Sequence, residues 1–361
     1  MTVSPLLRPL PAASALCVAL AACAAPVQQP AAPVGGLEWV AQDVPTTASF
    51  RGLAVVDPRT VWVSGTGGTF AVTSNGGATW RAETVPDATG LDFRDVHAVG
   101  ARDAWLMSAG EGPQSRIYRT ADGGRSWTLR YTVPGPQGFL DGMAFRGGAS
   151  AIAYSDPVDG RFLVLATEDG DRWTPVPPAA LPPALPGEAG FAASGTGIAV
   201  RGDRVWFGTG GGAQARVFRS ADRGRTWAAA PTPLAAGSAG AGVFSVAFWS
   251  DRDGVAVGGD YTRPGESAGN VARTEDGGRT WRPVRGAPPR GYRSGVAVVP
   301  GTDPLLLVAV GISGSDYSVD GGESWMPIDT VEFNAVAAAG PDAVWAVGPR
   351  GRVAKLRIGR P

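Results

Sequence analysis

The sequence predicts an all-β chain that folds as a seven-bladed β-propeller with four-stranded blades, the last of which is closed by an N-terminal strand. Three observations predict this fold. The 361 residues include 53 Gly, 31 Pro and 12 Trp, a balance that suits short strands joined by turns. A short turn segment recurs six times, with its tryptophans roughly 44 to 54 residues apart, which is within the range of one propeller blade. Two strand-like runs precede each copy.

The recurring segment is a turn that stabilises itself. Its copies read TSNGGATW, TADGGRSW, TEDGDRW, SADRGRTW, TEDGGRTW and SVDGGESW. An Asn or Asp starts each turn, where its side chain can accept backbone N–H bonds, and a Gly usually follows at positive φ. A Ser or Thr two residues earlier completes the local network, and the closing Trp packs on a neighbouring strand or blade. The residues with these structural roles are Asn75, Asp122, Asp169, Asp222, Asp276 and Asp320, with Trp80, Trp127, Trp173, Trp227, Trp281 and Trp325.

The runs around the turns predict an inner, a second and a third strand before each turn and an outer strand after it. SFRGLAVV and TVWVSGTGG lead to the first turn, FRDVHAV and AWLMSAG to the second, and GMAF and SAIAYSD to the third. GIAV and RVWFGTG, VFSVAFW and GVAVGGD, and SGVAVV and LLLVAVGIS lead to the others. The last unit, EFNAVAAA, DAVWAVG and RVAKLRIG, lacks an outer strand. LEWVAQDVP at residues 37–45 would supply it and close the ring.

The N-terminal residues are typical of an export signal. Arg8 precedes an apolar run at residues 10–22 that is too short to span a bilayer as a mature helix. The run Leu20-Ala21-Ala22-Cys23 resembles the bacterial lipobox, which implies that Cys23 is lipidated; the alternative is ordinary cleavage at an A-x-A-like site, Ala22-Cys23-Ala24.

We therefore expect a lipoprotein signal peptide at residues 1–22, a lipidated Cys and flexible Pro/Ala/Gln tether at 23–36, and the propeller at 37–361. Such a chain would be exported and anchored in the cell envelope by its lipid. In a Gram-negative cell, Ala24 after the cysteine favours the periplasmic face of the outer membrane.

Few residues of the predicted propeller could carry covalent catalysis or bind a metal. Lys plus Arg equals Asp plus Glu at 32 each, so no net field draws the chain to nucleic acid. Cys17 and Cys23 are its two cysteines, and both precede the propeller, which excludes a disulfide or thiolate site there. His97 is the one histidine, and the alternating run RDVHAVG around it predicts a packed structural residue. We expect no metal and no cofactor.

The strand order places the repeated turns and the longest loops on opposite faces of the ring. The repeated turns fall on the face that we call the bottom. The insertions at residues 176–194, 228–242 and 259–270 fall on the other face, the top, together with all blade-to-blade connections. Because variation for binding concentrates on such loops, we expect the binding surface at the top, around the channel mouth. Its polar residues are expected to be Arg51, Arg94, Asp141, Arg293 and Asn334 from inner strands, with Asp156, Asp260, Tyr261 and Asp316 from second-to-third-strand loops.

The turn segments resemble the Asp-box, or bacterial neuraminidase repeat, whose pattern is S/T-x-D-x-G-x-T/S-W. Within that class the units resemble the photosystem II stability and assembly factor family, through Phe50-Arg51, Phe93-Arg94-Asp95, the DGG turns and the run DAVWAVG at residues 342–348. The resemblance implies a seven-bladed propeller that binds proteins through an arginine-bearing surface and performs no catalysis. Together with the predicted export signal, it implies a monomeric envelope scaffold whose partner is another envelope protein or complex.

A glycoside hydrolase or glycan-binding propeller is the alternative function, because Asp-boxes also occur in sialidases, which the chain resembles more distantly. A sialidase would need three arginines, a Tyr with a Glu partner and an acidic Asp. Glu188, Tyr292 and Glu332 supply some of these types, but Phe50-Arg51-Gly52-Leu53 lacks the Ile-Pro of the sialidase signature. Redox chemistry has less support still: the turns lack the quinoprotein TG-K pair, and no helix pattern follows GTGGGAQ at residues 208–214.

Overall fold

The computed structural model describes residues 1–2 and 36–359, and residues 3–22 of the predicted signal peptide, the proposed lipid site at Cys23 and the tether up to residue 35 lie outside them. Within the described part the chain forms seven four-stranded antiparallel sheets, so the predicted seven-bladed all-β propeller is confirmed. None of the helical segments in residues 36–359 is long and apolar enough to cross a membrane.

Each blade runs from an inner strand at the central channel to an outer strand at the rim. Blade 1 holds β2 (Phe50–Val55), β3 (Val61–Gly65), β4 (Thr69–Thr73) and β5 (Arg81–Thr84); blade 2 holds β6 (Asp92–Ala98), β7 (Ala104–Ala109), β8 (Arg116–Thr120) and β9 (Thr128–Thr132). Blade 3 holds β10 (Leu140–Gly147), β11 (Ser150–Val158), β12 (Arg161–Thr167) and β13 (Thr174–Pro175); blade 4 holds β14 (Ile198–Arg201), β15 (Arg204–Gly208), β16 (Arg216–Ser220) and β17 (Ala228–Pro231).

The remaining blades follow the same order. Blade 5 holds β18 (Ala241–Phe248), β19 (Gly254–Asp260), β20 (Val271–Thr274) and β21 (Arg282–Pro283); blade 6 holds β22 (Gly295–Val299), β23 (Leu306–Gly311), β24 (Gly314–Ser318) and β25 (Met326–Asp329). Blade 7 holds β26 (Ala335–Gly340), β27 (Ala343–Val347), β28 (Val353–Ile358) and β1 (Leu37–Ala41). Two 3₁₀ turns, Gly112–Gln114 and Pro178–Ala180, lie in connections.

Strand β1 closes the ring as the sequence predicts. It pairs antiparallel with β28, with Trp39 opposite Leu356. The Trp39 Nε1–H donates to Ser315 Oγ of blade 6 at 2.9 Å, and its ring lies 5.1 Å from that of Phe333. The N-terminal strand therefore completes blade 7 and also ties it to blade 6.

The repeated turns form the predicted hydrogen-bond network. In blade 2, Asp122 Oδ1 accepts from the Thr120 hydroxyl at 2.8 Å and from the Ser126 N–H at 3.0 Å, while the Gly124 N–H donates to Thr120 Oγ1 at 2.9 Å. These bonds hold the pKa of Asp122 below its usual value, chiefly through the Ser126 hydroxyl. In blade 4, Arg223 takes the place of the usual Gly and keeps its left-handed conformation at φ 65°.

The closing tryptophans pack between blades. Trp80 contacts Trp345 of blade 7 edge to face with ring centroids 5.8 Å apart, and Trp127 contacts Trp62 of blade 1 at 6.3 Å. His97 is packed as predicted, stacked on Phe145 of blade 3 at 3.9 Å, and burial lowers its pKa to about 4. The apolar core thus lies in the layers between adjacent blades.

Candidate functional site: a cavity at the top face

A cavity of about 540 Å³ lies at the top face, where the inner strands begin. Six of the nine predicted surface residues line it: Arg51, Arg94, Asp141, Asp156, Tyr261 and Asn334. Its volume is within the range of roughly 300–1,000 Å³ that is usual for ligand pockets. The structure therefore brings most of the candidate residues to one concave surface; whether they bind a ligand stays a prediction.

β-Bulges aim four inner-strand side chains at this cavity. The pairing between inner and second strand skips one residue at Arg51, Arg94, Asp141 and Phe244, and these four residues line the cavity. A bulge leaves one residue without a partner on the neighbouring strand and bends the chain there, which re-aims its side chain. A β-bulge in the inner strand of each of blades 1, 2, 3 and 5 thus directs one side chain into the cavity.

The floor of the cavity is a segment of the insertion between blades 3 and 4, residues 189–197, which we call the plug segment. The Ser194 hydroxyl donates to the Ser294 carbonyl of blade 6 at 2.7 Å, and the Val246 N–H of blade 5 donates to the Thr196 carbonyl at 3.0 Å. Gly195 lies so close to Asp95 of blade 2 that an added Cβ would come within 2.4 Å of Asp95 Oδ1. The plug segment therefore spans the channel between blades 2, 5 and 6.

Two arginines form the basic side of the cavity and hold the plug segment. Arg51 Nη1 donates to the Ala193 carbonyl at 3.2 Å, and Arg94 Nη1 donates to the Ala192 carbonyl at 3.4 Å. Arg94 also forms an ion pair with Asp92 at 2.8 Å. Burial, and then the neighbouring Arg94 charge, lower the pKa of Arg51. Since a guanidinium carries five N–H donors, both arginines keep donors for a ligand.

Two carboxyl groups form the acidic side. Asp141 and Asp156 belong to the paired strands β10 and β11 at their top ends. Asp156 Oδ1 accepts a hydrogen bond from the Gly190 N–H of the plug segment at 2.7 Å, and burial raises the pKa of Asp156 to about 6. Asp141 is 1% exposed, and burial together with the charge of Asp156 raises its pKa well above the usual value.

Aromatic side chains cover the remaining wall. Phe191 of the plug segment stacks on Phe244 with centroids 3.8 Å apart, and Tyr292 meets Phe244 edge to face at 4.8 Å. Tyr261 is 48% exposed at the rim. Phe191, Phe244 and Phe139 were not among the predicted site residues. Phe191 could have been identified from the sequence, because it is an aromatic residue within an otherwise Pro/Ala-rich insertion.

The other three predicted residues do not line the cavity. The Arg293 guanidinium is completely buried, paired with Asp316 and bonded to the Tyr292 carbonyl at 2.7 Å and to Ser313 Oγ at 2.8 Å. Asp260 is 3% exposed. Its carboxylate accepts hydrogen bonds from the hydroxyls of Thr262, in the loop after β19, and of Ser238, in the connection between β17 and β18. Arg293, Asp260 and Asp316 therefore lie outside the lining of the cavity, which corrects their predicted place among its polar residues.

The residues considered for glycoside hydrolysis are only partly brought together. Tyr292 and Glu332 line the cavity, whereas Glu188 is buried beside Arg216 and accepts from the Thr209 hydroxyl at 2.6 Å. Burial raises the pKa of Tyr292 far above the usual value, which opposes a role as a nucleophilic phenolate. Among residues 36–359 no three His, Cys, Asp or Glu side chains are placed to hold a metal ion.

The fold resembles solved propellers, although no protein-family model matches the chain and no curated protein matches its sequence. A structure described as YCF48 bound to D1 peptide superposes with a TM-score of 0.60 and 18% identity, over 88% of this chain and 94% of that one. YCF48 from Cyanidioschyzon merolae gives 0.61 and 17%, over 88% and 98%. The WD40 propeller domain of Doa1 gives 0.57 and 12%, over 90% and 97%. At these identities the similarity shows that the chain shares the propeller fold of these proteins.

Proposed function

We propose that this chain is a non-catalytic scaffold that binds a segment of a partner protein in the top cavity. The observation that carries the proposal is the cavity itself, which is closed below by the plug segment and combines two arginines, two aspartates and an aromatic wall. Such a surface offers hydrogen bonds for a backbone, partners for charged side chains and an apolar contact area. A propeller of similar fold is described with a bound peptide, which supports the same use here.

The proposal includes a location in the cell envelope. The apolar run at residues 10–22 and the lipobox-like run ending at Cys23 support export and lipid anchoring. The tether at 24–36 would hold the propeller away from the membrane with its top face accessible to an envelope protein. Labelling with a radioactive fatty acid, comparing the natural chain with Cys23→Ser, tests this part separately; an unlabelled natural chain would contradict it.

The binding role is tested by crosslinking capture from envelope fractions with the full-length lipidated chain. The double substitution Arg51→Gln and Arg94→Gln removes the basic side of the cavity. A matched control, Arg102→Gln with Arg125→Gln, removes two exposed arginines at the bottom face. Since contacts to charged groups are worth about 1.5–3 kcal/mol each, we expect the first variant to lose roughly tenfold or more of its partner capture and the control to retain it.

Equal capture by both variants would remove the top cavity from the proposed binding surface, and thermal unfolding checks that each variant is folded at the temperature of the capture. Release of sugar from a panel of fluorogenic glycosides, or retention of the chain on envelope polysaccharide, would favour the glycosidase or glycan-binding alternative instead. Enrichment of one membrane protein complex supports the scaffold.

A further inference from the structure

The acidic side of the cavity lacks a cation. Among the described residues, the ion pairs within 4.0 Å include none to Asp141 or Asp156. Arg94, the basic residue whose charge acts on Asp141, is paired with Asp92 at 2.8 Å and bonded to the plug segment. Two adjacent carboxyl groups are therefore held at the wall of a cavity without a positive partner from the protein.

Asp141 is built into the wall and cannot turn away to find another partner. Its residue is 1% exposed, its Oδ2 has no hydrogen-bond partner, and Gly190 packs so closely that an added Cβ would meet that oxygen at 2.1 Å. The bulge in β10 fixes the direction of the side chain. Burial of this carboxyl group in its charged form costs free energy, and a cation held beside it in the cavity would offset part of that cost.

We propose that Asp141 and Asp156 form a subsite for a protonated primary amine, supplied by a lysine side chain or by the amino terminus of a bound segment. This inference rests on the proposed peptide-binding function, which it extends by naming one charge that the segment carries. An ammonium group offers three N–H donors, enough to reach both carboxyl groups. The neighbouring wall of Phe191 and Phe244 would contact the methylene groups that follow a lysine ammonium.

A divalent metal fits this place less well than an ammonium group. Ca²⁺ takes six to eight oxygen ligands and Mg²⁺ an octahedron, whereas the pair offers two side chains, one of which already accepts the Gly190 N–H. Burial raises the pKa of both carboxyl groups, and a cation bound beside them would favour their charged form.

The test is a calorimetric titration of the folded chain with small probes. Nα-acetyl-lysine N-methylamide carries the side-chain ammonium group, and alaninamide carries an α-ammonium group. Nα-acetyl-norleucine N-methylamide is the uncharged match to the lysine probe. We expect one or both amines to bind with a Kd in the millimolar range and the norleucine probe to bind at least roughly tenfold more weakly. Which amine binds more tightly identifies the source of the ammonium group.

Isosteric variants test the two aspartates. Asp141→Asn and Asp156→Asn should each weaken amine binding about 10- to 100-fold, because each removes a charge-assisted hydrogen bond. The control Asp342→Asn changes an exposed carboxylate in the turn between β26 and β27 and should bind as the natural chain does. Four outcomes would each overturn the inference. The first two are that no amine binds and that the norleucine probe binds as tightly as the amines. The others are that both cavity variants bind the amine as the natural chain does and that CaCl₂ binds more tightly at the same pair.

The outcomes separate this inference from the proposed function. If amine binding depends on Asp141 but partner capture is unaffected by the Arg51 and Arg94 substitutions, the amine subsite is supported. The top cavity is then rejected as the site for the partner. Partner capture that depends on the arginines, combined with no amine binding, rejects the subsite alone.

Discussion

Arg51 Nη1 and the carbonyl oxygen of Ala193 lie 3.2 Å apart although 142 residues separate them in the chain. This bond joins the inner strand of blade 1 to the segment that closes the channel. The proposed binding surface and the closure of the channel therefore share Arg51, and its two roles can be measured separately.

Replacing Arg51 should loosen the plug segment. We expect Arg51→Gln to lower the free energy of unfolding by about 1 kcal/mol, since it removes one hydrogen bond from a charged donor, and to speed hydrogen exchange at residues 192–196. Exchange mass spectrometry measures the second effect directly. Arg59→Gln, an exposed arginine of blade 1, is the control and should change neither quantity. Unchanged exchange in the Arg51 variant would show that other contacts hold the segment alone.

Asp95 should make the fold less stable as pH rises. It is 5% exposed, its Oδ2 accepts the Met143 N–H of blade 3 at 2.8 Å, and burial raises its pKa to about 8. A carboxyl group with a raised folded-state pKa contributes its full stability below the unfolded value near 4 and loses it as pH rises towards 8.

The neutral substitution Asp95→Asn keeps an acceptor for Met143 and removes the charge. Relative to the natural chain it should be more stable at pH 8 by on the order of a few kcal/mol, with a smaller difference at pH 5. Urea unfolding at both values measures this. A difference that stays constant between pH 5 and 8 would mean that Asp95 does not titrate there.

The blade order could be predicted from the sequence because each unit carries its own local signal. The Asp or Asn turn, the Trp and the alternating runs act within one blade, and β1 could be matched to the incomplete last unit. For the candidate site, the sequence could predict only the face of the propeller on which it lies. The position of Arg51, Arg94 and Asp141 at the top followed from strand direction, but the bulges that aim them depend on pairing register, which no residue type specifies.

The errors at the site have the same origin in long-range contacts. Arg293 and Asp316 were expected in the polar lining of the top surface, yet they pair with each other inside blade 6, and their spacing in the chain gave no sign of this pairing. Residues 190–193 of the insertion at 176–194 line the top cavity, but the entry of this segment into the channel depends on a contact with Ser294, about 100 residues later.

The Asp of a repeated turn should matter as a hydrogen-bond acceptor and hardly as a charge. Asp276 accepts from the Thr280 hydroxyl at 2.6 Å and from its N–H at 3.0 Å. We expect Asp276→Ala to cost about 1 kcal/mol, by analogy with the loss of a helix N-cap, and Asp276→Asn much less. Blade 1 contains the natural precedent, because Asn75 accepts the Thr79 N–H at 3.0 Å and donates to its hydroxyl at 2.8 Å. Equal losses for both variants in urea unfolding would assign the role to the charge.

Two buried tryptophans on second strands allow the hydrogen bond between blades to be measured. Trp105 Nε1–H donates to the Gly170 carbonyl in the turn of blade 3 at 2.8 Å, whereas the Trp345 Nε1–H, equally buried, has no partner. Each ring also lies beneath a cation, Arg119 at 4.9 Å and Lys355 at 5.4 Å. Both Trp→Phe substitutions remove similar volume, so the difference between them isolates the bond. Trp105→Phe should therefore be the more destabilising by about 1 kcal/mol in urea unfolding, because it removes this bond and leaves the Gly170 carbonyl with only the longer bond from the Trp173 Nε1–H at 3.3 Å. If Trp345→Phe proved as costly as Trp105→Phe, blade cohesion would come from ring packing alone.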